Sequence, residues 1–174
     1  KAAVAKKIRI GYFANVTHAA ALVGVQRKTF ETYFKADKTK VEFTVFNAGP
    51  AVIEAMKGGA IDVSYIGPSP AISGYASTGG SLLRIIAGAT LNGAQLIVKP
   101  TINSVADLKG KTIGVVSMIE GTTFFVADMA RAGGFSLNDV KVEAVGGSPT
   151  RQRLLKEKKI DAALQPYPLS YEAE

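Results

Sequence analysis

The chain has 174 residues, of which 47% are hydrophobic and 20% charged, a balance typical of globular proteins that argues against disorder. It contains no cysteine and one histidine, which excludes disulfides, thiolate metal sites and a cysteine nucleophile. The net charge of +7 lies in residues 1–100, where Lys and Arg are scattered singly without an Arg-rich tract, so the pattern disfavours nucleic-acid binding.

Short apolar strands alternate with helical stretches along the chain. The first half predicts strands at 8–13, 41–46, 61–66 and 83–89, and helices at 19–34, 50–57 and 70–76. The second half predicts strands at 95–98, 112–117, 140–145 and 162–165, and helices at 105–108, 122–132 and 150–158. This alternation predicts an α/β fold built from βαβ units with mostly parallel sheets.

A weak internal repeat divides the chain. A shift of 99 residues places Pro50 on Pro149 and Ile61-Asp62 on Ile160-Asp161, and a shift of 103 places Ile10-Gly11 on Ile113-Gly114. We interpret the repeat as two lobes of the same βαβαβ design. The predicted boundaries are 1–92 for lobe 1, 93–104 for a crossover or hinge, and 105–174 for a partial lobe 2.

Small and hydroxyl-bearing residues recur where predicted strands end and helices begin. In open parallel sheets these junctions lie at the carboxyl ends of the strands, where ligands bind. Backbone N–H groups at a helix start, with Ser or Thr hydroxyls beside them, suit an anion. Because the same residue types are also ordinary N-caps and turn residues, both interpretations remain open at this point.

Motifs for catalysis are missing from the sequence. There is no P-loop, no G-x-G-x-x-G after a strand and no G-x-S-x-G around a serine. Asp62 and Asp161 precede predicted strands, so we expect them to orient a turn rather than form a catalytic pair. We therefore predict no catalytic residues, no metal and no cofactor.

Several segments together resemble one family. Ile8-Arg-Ile-Gly-Tyr-Phe13 with Asn15-Val-Thr-His18, the stretch 60–70, Leu83-Arg-Ile-Ile-Ala-Gly88, the stretch 104–114 and Lys159-Ile-Asp-Ala-Ala163 resemble the nitrate/sulfonate/taurine substrate-binding proteins of ABC importers. This family belongs to the type II periplasmic-binding-protein superfamily. Its members usually run to nearly twice this length, so we expect a fold that is incomplete at the C-terminus. An exposed sheet edge would then favour a homodimer, with swapping of an element between the two copies as one way to form it.

The resemblance implies a mechanism in which two lobes close over a small anion, such as an aliphatic sulfonate, taurine or nitrate, and then dock on a membrane permease. It implies a periplasmic or extracellular location and is compatible with a lipid anchor on the protein before processing. The charged residues 1–7 do not resemble a signal peptide. The ligand contacts that it implies are Thr17, His18, Asn47, Ala48, Gly67 and Ser69 in lobe 1, and Gly121, Thr122 and Thr123 in lobe 2.

Two other classes stay open. One is an enzyme on the same fold, of the kind that makes the thiamine pyrimidine. The other is the ligand-sensing domain of a transcription regulator, which would normally follow a helix-turn-helix segment.

Overall fold

A computed structural model describes residues 5–91, 93–118 and 120–173 of the chain. The chain divides into two compact units, Lys1–Leu91 and Asn92–Glu174. Each unit contains a β-sheet with helices between its strands, so the predicted α/β class with mostly parallel sheets is confirmed. None of the helices in these described residues has the length and hydropathy of a membrane span.

The first unit is built on a three-stranded parallel sheet in the order β2-β1-β3. A 3₁₀ turn at Val16–His18 links the first strand to the first helix. The elements in chain order are β1 (Lys7–Phe13), α1 (Ala19–Gln26), α2 (Thr29–Phe34), β2 (Lys40–Phe46), α3 (Gly49–Lys57), β3 (Val63–Ser64) and α4 (Pro68–Ser77).

The second unit is built on a four-stranded sheet in the order β4-β7-β5-β6, in which only β4 runs antiparallel to its neighbour. Short 3₁₀ turns occupy Val105–Leu108, Leu137–Asp139 and Tyr171–Ala173. The elements are β4 (Ala94–Val98), β5 (Thr112–Val115), α5 (Gly121–Ala132), β6 (Lys141–Ala144), α6 (Ser148–Lys156) and β7 (Ala162–Pro166). The core of this unit comprises Ile102, Leu108, Ile113, Val115, Val126, Val140 and Ala162.

The internal repeat corresponds to a repeated sheet order. β2-β1-β3 in the first unit matches β6-β5-β7 in the second, and both stretches 41–66 and 140–165 fold as strand, helix, strand. Gly114 lies in the central strand of its sheet, where an added Cβ would lie 2.6 Å from Cδ1 of Ile160. A Cβ on Gly11 would likewise lie 3.1 Å from Cδ1 of Ile61. The repeated glycine therefore makes room for the repeated isoleucine.

The repeated aspartates hold the start of each central strand. Asp62 accepts a hydrogen bond from the backbone N–H of Arg9 (2.8 Å) and pairs with its guanidinium (2.6 Å). Asp161 accepts from the backbone N–H of Thr112 (2.8 Å) and from Nζ of Lys99 (2.6 Å). In both cases the neighbouring cation lowers the pKa of the carboxyl. Each aspartate thus fixes the register between two parallel strands of its own unit.

The predicted helix at 19–34 is wrong as a single element, because the chain turns between α1 and α2 at Lys28, whose φ is +53°. The ring of Phe30 folds back over Gly24, where a Cβ would clash with it, so this packing requires the turn. Helical propensity extends through the whole stretch, but the packing of the aromatic ring interrupts it.

The strand predicted at 83–89 is also wrong. Its β-branched composition favours a strand, but no other strand of the described residues pairs with it, and Ile85 and Ile86 are 71% and 83% exposed. Without a ladder partner the backbone does not form a strand. The predicted crossover at 93–104 contains β4, which is part of the second sheet; its role as a hinge stays a prediction.

Candidate functional site

The first strand-to-helix junction of the first unit centres on His18. This side chain is 6% exposed, and its ring stacks on Phe13 with centroids 4.3 Å apart. Burial lowers the pKa of His18 to about 4. Nδ1 accepts a hydrogen bond from the backbone N–H of Phe13 (3.2 Å), which also requires an unprotonated Nδ1. His18 is therefore neutral at pH 7 and offers a polar ring rather than a charge.

Neighbouring residues fix this junction. Thr17 donates its backbone N–H and its hydroxyl to Oδ1 of Asn15, at 3.0 and 2.5 Å. The ring of Tyr65, just beyond β3, lies 6.2 Å from that of His18. The ends of β1 and β3 are thus brought together at His18.

The other two junctions of the first unit also meet. Ala48 is the N-cap of α3, with Asn47 exposed before it, and Gly67 is the N-cap of α4. Gly49 packs so closely on Pro70 that a Cβ would clash with the proline ring. Because α4 opens with Pro68-Ser69-Pro70, Ser69 supplies the only backbone N–H among its first three residues.

At the start of α5 the structure gives the predicted residues local partners. Oγ1 of Thr122 accepts from the N–H of Val116 (2.9 Å), and the hydroxyl of Thr123 donates to the carbonyl of Ser117 (2.8 Å). The helix is capped by Glu120, whose Oε2 accepts from the N–H of Thr122 (3.2 Å). Both threonines are buried and brace the loop after β5, with Gly121 between them and the cap. That they also bind an anion stays a prediction.

The start of α6 holds a residue that the sequence analysis missed. Arg151 is 3% exposed, and its guanidinium donates to the carbonyls of Gly146 (2.7 Å) and Leu164 (3.0 and 3.2 Å) and to Oγ of Ser148 (3.0 Å). Since β6 and β7 flank β5, these contacts place the cation beside the carboxyl end of the central strand. Among the described residues no carboxylate forms an ion pair with it.

The electrostatics of Arg151 are those of an enclosed cation. Burial lowers its pKa to about 10, and the charge of Glu120 partly offsets that effect. The side chain is therefore still protonated at pH 7. A buried charge without an ion-pair partner is costly, and such groups concentrate at functional sites.

Two buried glutamines lie next to this cation. Nε2 of Gln165 donates to the carbonyl of Ser148 and to Oε1 of Gln152, both at 3.2 Å. Oε1 of Gln165 and Nε2 of Gln152 are buried with no partner in the part of the chain that the structure describes. The sequence did carry a signal for this cluster: a cation in the first turn of a helix opposes the helix dipole, and a glutamine interrupts the apolar run of β7.

The described residues contain no group of three or more His, Cys, Asp or Glu side chains placed to hold a metal ion. His18, the one histidine of the sequence, already uses Nδ1 for the Phe13 N–H. The junctions of the first unit offer N–H and hydroxyl donors and neutral side chains. Those of the second unit offer hydroxyl groups, neutral amides, the Glu120 carboxylate and the buried guanidinium of Arg151.

Solved structures with this fold are numerous. The alkanesulfonate-binding protein SsuA of Xanthomonas axonopodis pv. citri, bound to MOPS, is 22% identical with a TM-score of 0.74, covering 96% of this chain and 56% of that one. The nitrate-binding protein NrtA of Synechocystis PCC 6803 is 18% identical with a TM-score of 0.74, covering 94% and 47%. The ligand-binding component of an ABC-type import system from Staphylococcus aureus is 15% identical with a TM-score of 0.81, covering 97% and 57%.

The present chain thus spans about half the length of these structures, and identities in this range show likeness of fold. No curated protein matches the sequence. The family model described as the NMT1-like family matches residues 1–174, the whole chain. By that match the chain belongs to the NMT1-like family.

Proposed function

We propose that this chain is the solute-binding component of an ABC importer and that it captures a small anion of the class of aliphatic sulfonates, taurine or nitrate. Membership of the NMT1-like family supports a binding role, and neighbours described as binding an alkanesulfonate or nitrate support the ligand class. The partner would be a membrane permease, and the location periplasmic or extracellular.

The observation that carries the proposal is the enclosed guanidinium of Arg151. It supplies a full positive charge beside the carboxyl end of β5, the edge at which open parallel sheets bind ligands. The starts of α5 and α6 follow β5 and β6 at this edge, and their N–H groups add partial positive charge. Both the guanidinium and the helix N–H groups would stabilise a bound anion.

The first unit would contribute neutral donors. Thr17, His18, Asn47, Ala48, Gly67 and Ser69 lie at its three junctions, and none of them carries a charge at pH 7. They would contact the uncharged part of a ligand, or one oxygen of the anion. We propose that residues 93–104 connect the two units as a hinge, with β4 as the part anchored in the second sheet.

A thermal-shift screen tests the ligand class. We expect taurine, ethanesulfonate or nitrate at millimolar concentration to raise the melting temperature, whereas choline, a cation, would not. Replacing Arg151 with Gln should abolish the rise, and Arg151→Lys should retain part of it because the charge remains. Arg153→Gln is the matched control, since Arg153 is exposed and pairs with Glu157 (3.0 Å). A best ligand that has no anionic group would refute the proposal.

No observation in the described residues favours the enzyme or the transcription-regulator alternative over this role. His18, with its pKa of about 4, is poorly suited to act as a general base near neutral pH.

A further inference from the structure

A basic surface lies in the first unit, toward the end of the sheet opposite to the strand-to-helix junctions. It comprises the cations around α2 and at the starts of β1 and β2, all of them exposed: Lys6, Lys7, Arg27, Lys28, Lys35, Lys38 and Lys40. β1 and β2 run parallel, with Lys7 beside Lys40 at their starts. The junction at His18 follows the other end of β1, about 20 Å along the strand.

Backbone hydrogen bonds hold these cations in place. The N–H of Lys40 donates to the carbonyl of Lys6 (2.9 Å), and the N–H of Lys38 donates to the carbonyl of Lys35 (3.2 Å). Lys28 is the N-cap of α2 and Lys35 is its C-cap, so the two lie about 10 Å apart along this helix. The charges are therefore carried by ordered secondary structure.

Most of the charge on the basic surface is not neutralised locally. Glu42 pairs with Lys7 (3.2 Å) and Lys40 (2.7 Å). The ion pairs of the described residues include none with the other five cations. Seven cations against Glu31, Asp37 and Glu42 leave a net charge of +4 on this surface, which is more than half of the +7 of the whole chain.

Two of these lysines occupy left-handed backbone positions. The φ angle is +53° at Lys28 and +55° at Lys38, in the region that glycine and asparagine adopt most readily. A lysine in this conformation costs conformational energy, so the backbone alone would favour a different residue at both positions. The presence of lysine at both supports a role for the charge itself.

The chemistry of the basic surface suits an anionic lipid bilayer. Six of its seven cations are lysines, which lack the forked donor pair with which arginine binds a single phosphate or a base edge. Tyr33 of α2 is 78% exposed among them, and its ring packs edge-on against Phe34 with centroids 5.1 Å apart. An exposed tyrosine beside lysines fits the headgroup layer, where the ring is partly buried and the hydroxyl stays hydrated.

We propose that the basic surface docks this protein on a membrane that contains anionic lipids. The lysines of α2 and of the turn before β2 bind lipid phosphates, and Tyr33 enters the headgroup layer. The junctions at the other end of the sheet stay open to solution. The proposal goes beyond the proposed function and does not depend on which ligand is captured.

Co-sedimentation with lipid vesicles tests the proposal. We expect the wild-type protein to bind vesicles of phosphatidylglycerol and phosphatidylcholine in equal parts, to release them as NaCl is raised, and not to bind phosphatidylcholine alone. Lys28→Asn and Lys38→Asn should each weaken binding about fivefold, because each removes one charge near the lipid surface. Neither variant should lower the melting temperature, since asparagine tolerates the left-handed conformation. A loss of binding could then not be attributed to unfolding.

Lys158→Asn is the matched control. It is the same substitution in the same backbone conformation (φ +58°), but in the second unit, and it should leave vesicle binding unchanged. Failure of the wild-type protein to bind the anionic vesicles would overturn the proposal, and so would an equal loss of binding in Lys158→Asn. Tighter binding to duplex DNA than to the vesicles would overturn the lipid assignment in favour of nucleic acid. The thermal-shift screen for anionic ligands is unaffected by any of these outcomes, so the proposed function is tested separately.

Discussion

Protonation of His18 should make the protein less stable in mildly acidic solution. The side chain is buried, stacked on Phe13 and bound through Nδ1 to a backbone N–H, and its pKa is lowered from 6.5 to about 4. In the unfolded chain the imidazole takes up a proton near pH 6.5, while in the folded protein it stays neutral until about pH 4. The unfolded state therefore binds more protons between these values, and the free energy of unfolding falls as the pH falls.

The size of the effect follows from the two pKa values. Between pH 7 and pH 5 the uptake of a proton by His18 in the unfolded state lowers the free energy of unfolding by about 2 kcal/mol. Urea denaturation at pH 7, 6 and 5, followed by circular dichroism, measures it directly. His18→Asn is the comparison, because its side-chain oxygen can accept from the Phe13 N–H but does not titrate.

The informative quantity is the difference in pH dependence between the two proteins, since carboxyl groups titrate in both. We expect the wild-type protein to lose about 2 kcal/mol more than His18→Asn between pH 7 and pH 5. If the free energy of unfolding falls equally with pH in the two proteins, His18 titrates normally. The description of His18 as a buried imidazole that only accepts a hydrogen bond would then be wrong.

Three further predictions concern residues of the second unit. Gly114→Ala should lower the free energy of unfolding, measured by urea denaturation, by about 1–3 kcal/mol because the added Cβ meets Cδ1 of Ile160. Adding Ile160→Val, which removes Cδ1, should recover part of the loss. Unchanged stability of Gly114→Ala would contradict the packing argument. Thr123→Val should lower the free energy of unfolding by about 1 kcal/mol because it removes the hydroxyl that donates to the carbonyl of Ser117, and unchanged stability would contradict that role; a loss of taurine affinity of about tenfold in the same variant is expected if the hydroxyl also contacts the ligand. Asp161→Asn should lower the free energy of unfolding by about 1 kcal/mol at pH 7, whereas the exposed Asp128→Asn should change it little. Because the pKa of Asp161 is lowered in the folded protein, this difference between the variants should disappear as the pH falls through and below about 3.9. An equal loss for both variants would contradict the role of Asp161 in holding Lys99 and Thr112.

Much of the fold was predictable because it depends on local signals. Alternating apolar strands and helices indicated an α/β fold, and the matched Ile-Asp and Ile-Gly pairs indicated a repeated unit. The structure gives the physical reason for those matches. Gly114 makes room for Ile160, and Asp161 holds the N–H of Thr112, so these positions are constrained by the sheet in both units.

The errors arose where a side-chain contact, or the lack of a strand partner, overrode local propensity. The stretch 83–89 has a strand-like composition, but a strand needs a partner, and composition cannot supply one. The helix at 19–34 is interrupted because Phe30 packs on Gly24, a contact that apolar periodicity does not reveal.

The candidate site shows the same division. The sequence by itself located the strand-to-helix junctions, because Gly, Ser and Thr mark them locally. Only the tertiary structure decided which groups carry charge there. Arg151 became an enclosed cation because Leu164 in β7 and Gly146 just after β6 direct their backbone carbonyls at it. Glu120 became a helix cap because Val116 and Ser117, which follow β5, are hydrogen-bonded to Thr122 and Thr123. Burial and approach across strands determine those properties, and neither is encoded in the spacing of residues along the chain.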